Sequence, residues 1–222
     1  MERVSAAMMQ PQEDLAVPRP PTLASLFIGN DRNFSRLLRS VDGYLSLLHR
    51  GAQDVVSAIC LFDYCKLHTQ GGDLYSRWHF TAARDGAMAL HNMALGLRYL
   101  RTLSGTLERF RHQIDFDRLK EAQLFFQDRF PNVEKLRHAI AHQEHYSNPN
   151  KPTMVNEGYE DRNVSFPKST VISQLLSDDA FISSFDGDTV QYSLNYQTAR
   201  DVVDTCKTAF SAYDRIEQII DL

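Results

Sequence analysis

Residues 133–145 read Val133-Glu134-Lys135-Leu136-Arg137-His138-Ala139-Ile140-Ala141-His142-Gln143-Glu144-His145. At about 100° per residue on an α-helix, Val133, Leu136 and Ile140 fall on one apolar stripe and Arg137 on its edge. Glu134, His138, His142 and His145 fall on the opposite, wetter side. Pro131 breaks the preceding pattern and Asn132 offers a cap, so the spacing predicts a helix over 132–146. The same arithmetic sets Arg137 and His142 roughly 140° apart. From one straight helix they cannot converge on a single small group. Either the helix unwinds near His142, or a second copy of it supplies the missing partner across a two-fold axis.

Working outward, the rest of the chain is mostly helical in pattern. Phe34, Leu37, Leu38, Val41, Leu45 and Leu48 keep helical spacing behind a cap at Asn30 or Asp31, and Val55, Ile59 and Phe62 continue it. Gly43 and Gly51 leave one long helix or two as alternatives. Asp73 opens a second long helix running to about Leu103. Its apolar residues, from Leu74 and Trp78 to Leu97 and Leu100, spread around most of the circumference, as in a helix surrounded by others. Asp117 to Phe130 is a shorter helix. Val202, Cys206, Ala209, Tyr213, Ile216 and Ile220 step by four and three behind Asn195 or Thr198, which predicts a final helix. Residues 147–165 read as a loop. Phe181–Phe185 and Val190–Leu194 flank Asp186-Gly187, a pair suited to the positive φ of a tight turn, and predict a two-stranded hairpin. The expected fold is therefore mainly α: an up-down helical bundle with a small β-hairpin, about 166–194, inserted before the C-terminal helix. Residues 1–24, with four prolines, read as a flexible N-terminal tail and 25–222 as a single domain.

Bulk composition narrows the class. The 222 residues, 43% hydrophobic and 23% charged, are ordinary globular composition. Charged residues or histidine interrupt every apolar run before it could cross a bilayer, so no membrane association is expected. Cys60, Cys65 and Cys206 are an odd set without close pairs, which fits a reducing, cytoplasmic compartment and buried thiols. A net charge of −4 exerts no general pull on nucleic acid, so attraction must be local. Arginines outnumber lysines 18 to 6, and Arg98, Arg101, Arg109, Arg111 and His112 crowd one region. They suit phosphate by their planar fork, or simply form a solvated face.

Arg137, four intervening residues and His142, with a polar residue directly after the arginine and the whole placed late in a helical bundle, resemble the HEPN superfamily motif. The wording Leu136-Arg137-His138-Ala139-Ile140-Ala141-His142 is similar to that of its abortive-infection members. The helix carrying Trp78 and Ala82-Ala83-Arg84-Asp85 and the late hairpin extend the resemblance over roughly 31–222. It implies a metal-independent endoribonuclease acting as a homodimer, its motif helices at the interface, serving as a toxin or phage-defence effector on cellular RNA. A cognate antitoxin belongs to the same expectation, and no cofactor or metal does. Arg137 and His142 are then the catalytic pair, with His138, Glu144 and Arg84 supporting. His142 would act as general base or acid, since its ordinary pKa of about 6.5 lies near working pH. Arg137 would hold the phosphate and stabilise the extra charge of the transition state. The family commonly has Asn where this chain has His138, which leaves open whether His138 orients phosphate or transfers a proton.

Other readings of the same residues stand beside this one. Arg137 could be a structural arginine paired with Glu144. His138 and His142, four apart with Glu134 and His145 near, have the spacing of a helical zinc pair, but no second ligand cluster accompanies them. His79 and His91 read as packed or hydrogen-bonded histidines, and Arg84 with Asp85 as structural bonds. A non-catalytic HEPN-like helical module binding RNA, nucleotide or protein shares nearly all these features. No Gly-rich phosphate loop, nucleophile elbow or Cys-x-x-Cys motif points elsewhere.

Overall fold

A computed structural model describes residues 15–26, 31–68, 73–141, 158–160, 162–168 and 170–217. Asp31 starts the first helix by accepting the Phe34 amide at 3.1 Å. Helix α1 then runs unbroken from Arg32 to Leu67, which settles the question raised by Gly43 and Gly51. Gly51 is where α1 and α2 (Asp73–Ser104) press together, since a Cβ there would stand 2.7 Å from Met93 Cγ and 3.2 Å from the Ala89 carbonyl. This antiparallel pair is the spine of the bundle. Leu38, Leu45, Leu48 and Phe62 of α1 and Leu90, Met93 and Leu100 of α2 are sealed inside it. From Ala82 onward α2 buries Leu90, Met93, Leu97 and Leu100 as its sequence implied while Arg84, Asp85 and Arg98 face solvent, but Leu74 and Trp78 in its first turns are exposed.

Asp115 caps α3 (Phe116–Arg129) by accepting two amides, and α4 (Val133–Ala141) follows directly, its first turn closed by the Leu136 amide on the Asn132 carbonyl. Asn195 caps α5 (Tyr196–Ser211) through the Thr198 amide. The final helix is shorter than its apolar spacing suggests. The chain turns at Ala212–Tyr213 and resumes as α6, described over Asp214–Glu217, while Ile220 lies outside the described residues. The turn lets the Tyr213 ring enter the core, where its hydroxyl meets that of Ser104 at 2.5 Å. The N-terminal segment also contributes. Within the expected 1–24 tail, Pro18 offers its carbonyl to His49 Nδ1, Leu23 is fully buried, and Asp42 accepts the Leu23 and Ala24 amides.

The inserted hairpin is larger than expected. Strands β4 (Ala180–Phe185) and β5 (Asp188–Ser193) pair in antiparallel register across Asp186-Gly187, both at positive φ, and β3 (Leu175–Ser177) adds a third strand. A separate two-residue ladder, β1 (Tyr159–Glu160) with β2 (Ser165–Phe166), lies within the stretch expected to be loop. Buried Phe181, Val190 and Tyr192 join the three-stranded sheet to the helical core. Cys65 and Cys206 are buried as expected, whereas Cys60 is exposed. Among the described residues no helix is long and apolar enough to cross a membrane.

Candidate functional site

Helix α4 lies between α2 and the hairpin. Leu136 and Ile140 sink into the core, and Lys135 forms an ion pair with Asp188 at the hairpin's turn. On the side facing α2, Glu134 bridges two α2 residues: Arg98 donates to Oε1 at 3.0 Å, and His91 Nδ1 stands 3.4 Å from Oε2, close but out of hydrogen-bond alignment. His91 and Arg98 are seven residues apart, so both fall on one line of α2.

Arg137 is half-buried, as its edge position predicted. Its Nη1 donates to His138 Nδ1 at 3.4 Å, and its Nε is buried without a hydrogen-bond partner among the described residues. An arginine only donates, so His138 Nδ1 is the acceptor in this long contact. His138 is not on an open wet face as expected: Phe185 of β4 lies over its ring at a centroid distance of 5.7 Å and an interplanar angle of 18°. Beside Glu134, a cleft of about 280 Å³ opens between α2, α3 and α4, lined by Leu97, Arg98, Gln123, Phe126 and Phe130 among others.

Burial pushes the His91 imidazole below its ordinary pKa. Arg137, His138 and Arg98 push the same way against the opposing pull of Glu134. Burial likewise lowers His79, which packs on Phe62. A histidine with a lowered folded-state pKa stabilises the fold fully above its unfolded value of about 6.5, and loses that contribution as pH falls toward the folded value. The urea midpoint should therefore drop as the pH is lowered from about 6.5, and His91→Gln should flatten that slope. A slope unchanged in both His91→Gln and His79→Gln would remove these histidines as its cause.

Of the expected site residues, Arg137 and His138 are brought together, with His91, Glu134 and Arg98 as neighbours that the sequence reading placed elsewhere or did not use. His142 and Glu144 lie outside the described residues, and with them the Arg137–Glu144 pair, the zinc spacing through His142 and His145, and the approach of His142 to Arg137. Arg84 is exposed on α2, on the line of His91 but about 10.5 Å nearer the N-terminus. Among the crowded cations Arg98 pairs with Glu134, Arg101 donates to Gln123, and Arg109 pairs with Asp31 over the Phe34 ring. These exposed arginines make ion pairs and hydrogen bonds within the fold, where the plainer reading of the cluster was a solvated face. The seven-residue spacing of His91 and Arg98 was the signal available for their shared face, but it gains meaning only once Glu134 is known to lie opposite.

No family model, curated protein or solved structure gives a significant match to the chain. The functional reading therefore rests on the residues themselves.

Proposed function

We propose that this chain is a HEPN-type endoribonuclease that cuts without a divalent metal, works as a homodimer through its α4 region, and acts on cellular RNA as a toxin or defence effector. The observation that supports it most is the setting of Arg137: a half-buried guanidinium beside His138, with a buried Nε–H that no described group accepts. A phosphate oxygen would satisfy that donor, and the planar fork suits two such oxygens.

In the proposed reaction the RNA's own 2′-oxygen attacks the adjacent phosphorus and gives its proton to a general base. The bond from phosphorus to the 5′-oxygen breaks, and a general acid protonates that leaving oxygen. The products are a 2′,3′-cyclic phosphate and a 5′-hydroxyl. Arg137 holds the phosphate and the charge that builds on it. His142, assigned by its place in the motif, is one proton-transfer group, and His138 or His91 is the other.

Purified protein incubated with total RNA in EDTA should yield fragments with these ends, and light scattering at micromolar concentration should give a dimer mass. Activity lost in EDTA and restored only by Mg²⁺ or Mn²⁺ would refute the proposed chemistry. RNA that is bound but never cut would instead make the chain the non-catalytic helical module.

A further inference from the structure

At the end of the spine farthest from the C-terminus of α2, aromatic rings of α1 and α2 form a ladder. Tyr64 stacks on His68 at a centroid distance of 4.3 Å, His68 on Tyr75 at 5.8 Å, and Trp78 meets Tyr75 edge-on at 6.0 Å. A ladder of this kind is usually interior, yet Tyr64 is 48% exposed and Trp78 42%. Beginning beside Trp78, Arg77 and Arg84 are exposed, and neither has an ion-pair partner among the described residues. Arg77, Arg84, His91 and Arg98 recur every seven residues, so they run along one drifting line of α2 at intervals of about 10.5 Å. That line ends at the Glu134–Arg137 cluster. Trp78 leaves the helix about 100° round from Arg77, a turn that the long arginine side chain can span.

We propose that the Tyr64–Trp78 ladder is a stacking platform for single-stranded RNA, and that Arg77 and Arg84 carry its backbone along α2 to the Arg137 site. The proposal rests on the ribonuclease reading for its substrate class. Partly exposed aromatic rings stack on any base, and arginines in a row contact phosphates along one strand, so the two together fit an unpaired strand better than either fits alone. A strand held this way enters the site without sequence readout by the protein.

Trp78 is the chain's single tryptophan, so its emission reports on the platform directly. The test is a titration of the full chain with an uncleavable 2′-O-methyl oligonucleotide of about 12 nucleotides. Binding should quench the emission, and Trp78→Ala should weaken affinity about fivefold to a hundredfold while Trp78→Phe retains most of it. The double variant Arg77→Ala/Arg84→Ala should lower the salt slope by about 1.4, at roughly 0.7 per lost phosphate contact. Binding without quenching, or affinity untouched by Trp78→Ala, overturns the platform. So does a loss of dimer mass in Trp78→Ala at unchanged affinity, which would make this face a contact between copies of the chain. Cleavage without quenching overturns the platform and spares the ribonuclease reading. Quenching by the oligonucleotide in a wild type that never cleaves supports the platform and removes the ribonuclease.

Discussion

Arg137→Ala should lower RNA cleavage by about 10²- to 10³-fold, the usual cost of removing one charge-stabilising donor from a transition state. It should do so with the protein still folded. The buried Nε has no described partner to leave stranded, and the Nη1–His138 contact is long, so the loss of stability should stay below about 1 kcal/mol. Arg137→Lys keeps the charge but not the fork, and should recover only part of the rate. His142→Ala should be at least as damaging, by about 10²- to 10⁴-fold for a proton-transfer group. Rates come from end-labelled RNA, and folding from circular dichroism and a urea midpoint. Full activity in Arg137→Ala would sink the assignment. Unfolding of Arg137→Ala would show instead that the arginine is structural, as its alternative pairing with Glu144 implies.

Tyr192→Ala should be the most destabilising of the single changes considered, at about 3–5 kcal/mol, the range for emptying a buried aromatic site. The ring is nearly sealed and packs against Phe181, and its hydroxyl donates to the Ala83 carbonyl on α2. Gly86 makes that approach feasible, since a Cβ there would lie 2.6 Å from the tyrosine oxygen. A loss of this size is a large part of a domain's whole stability, about 5–15 kcal/mol. Tyr192→Phe removes only the hydroxyl and should cost about 1 kcal/mol. The site should feel the difference too. Tyr192 of β5 anchors the sheet whose neighbouring strand places Phe185 over His138. Cleavage should thus survive in Tyr192→Phe and fail on mild warming in Tyr192→Ala. Equal urea midpoints for the alanine variant and wild type would refute this anchoring role.

The elements that could be read from the chain are those whose periodicity and caps agree. Asp31 and Asn195 each accept an amide of the turn they open, and Asp186-Gly187 makes the turn its φ preferences favour. The misreadings share one physical cause, which is that burial is decided by distant residues. Ala209, Tyr213 and Ile216 keep a helical rhythm although the backbone turns at Ala212–Tyr213, because all three reach the same core. Strand β3 is too short for an alternating pattern to stand out, and it exists by pairing with β4. Leu74 and Trp78 look like core in sequence and are exposed because nothing in the described chain covers them. At the site, Arg137 could be placed at the stripe's edge by angle alone. The partnership of Glu134 with His91 and Arg98 could not, because it spans two helices far apart in the chain.

The described part of helix α4, nine residues, is too short to persist alone in water, where isolated helices shorter than about 12–15 residues are marginal. What holds it lies on both sides in the sequence: α2 before it, and Asp188 and the β4–β5 sheet well after it. During synthesis, Arg137 leaves the ribosome long before the strands that complete its surroundings. At about 5–20 residues per second that interval is on the order of several seconds. A nascent chain therefore carries the arginine without the site. Translation itself sets a delay of that length before the surroundings of Arg137 are complete.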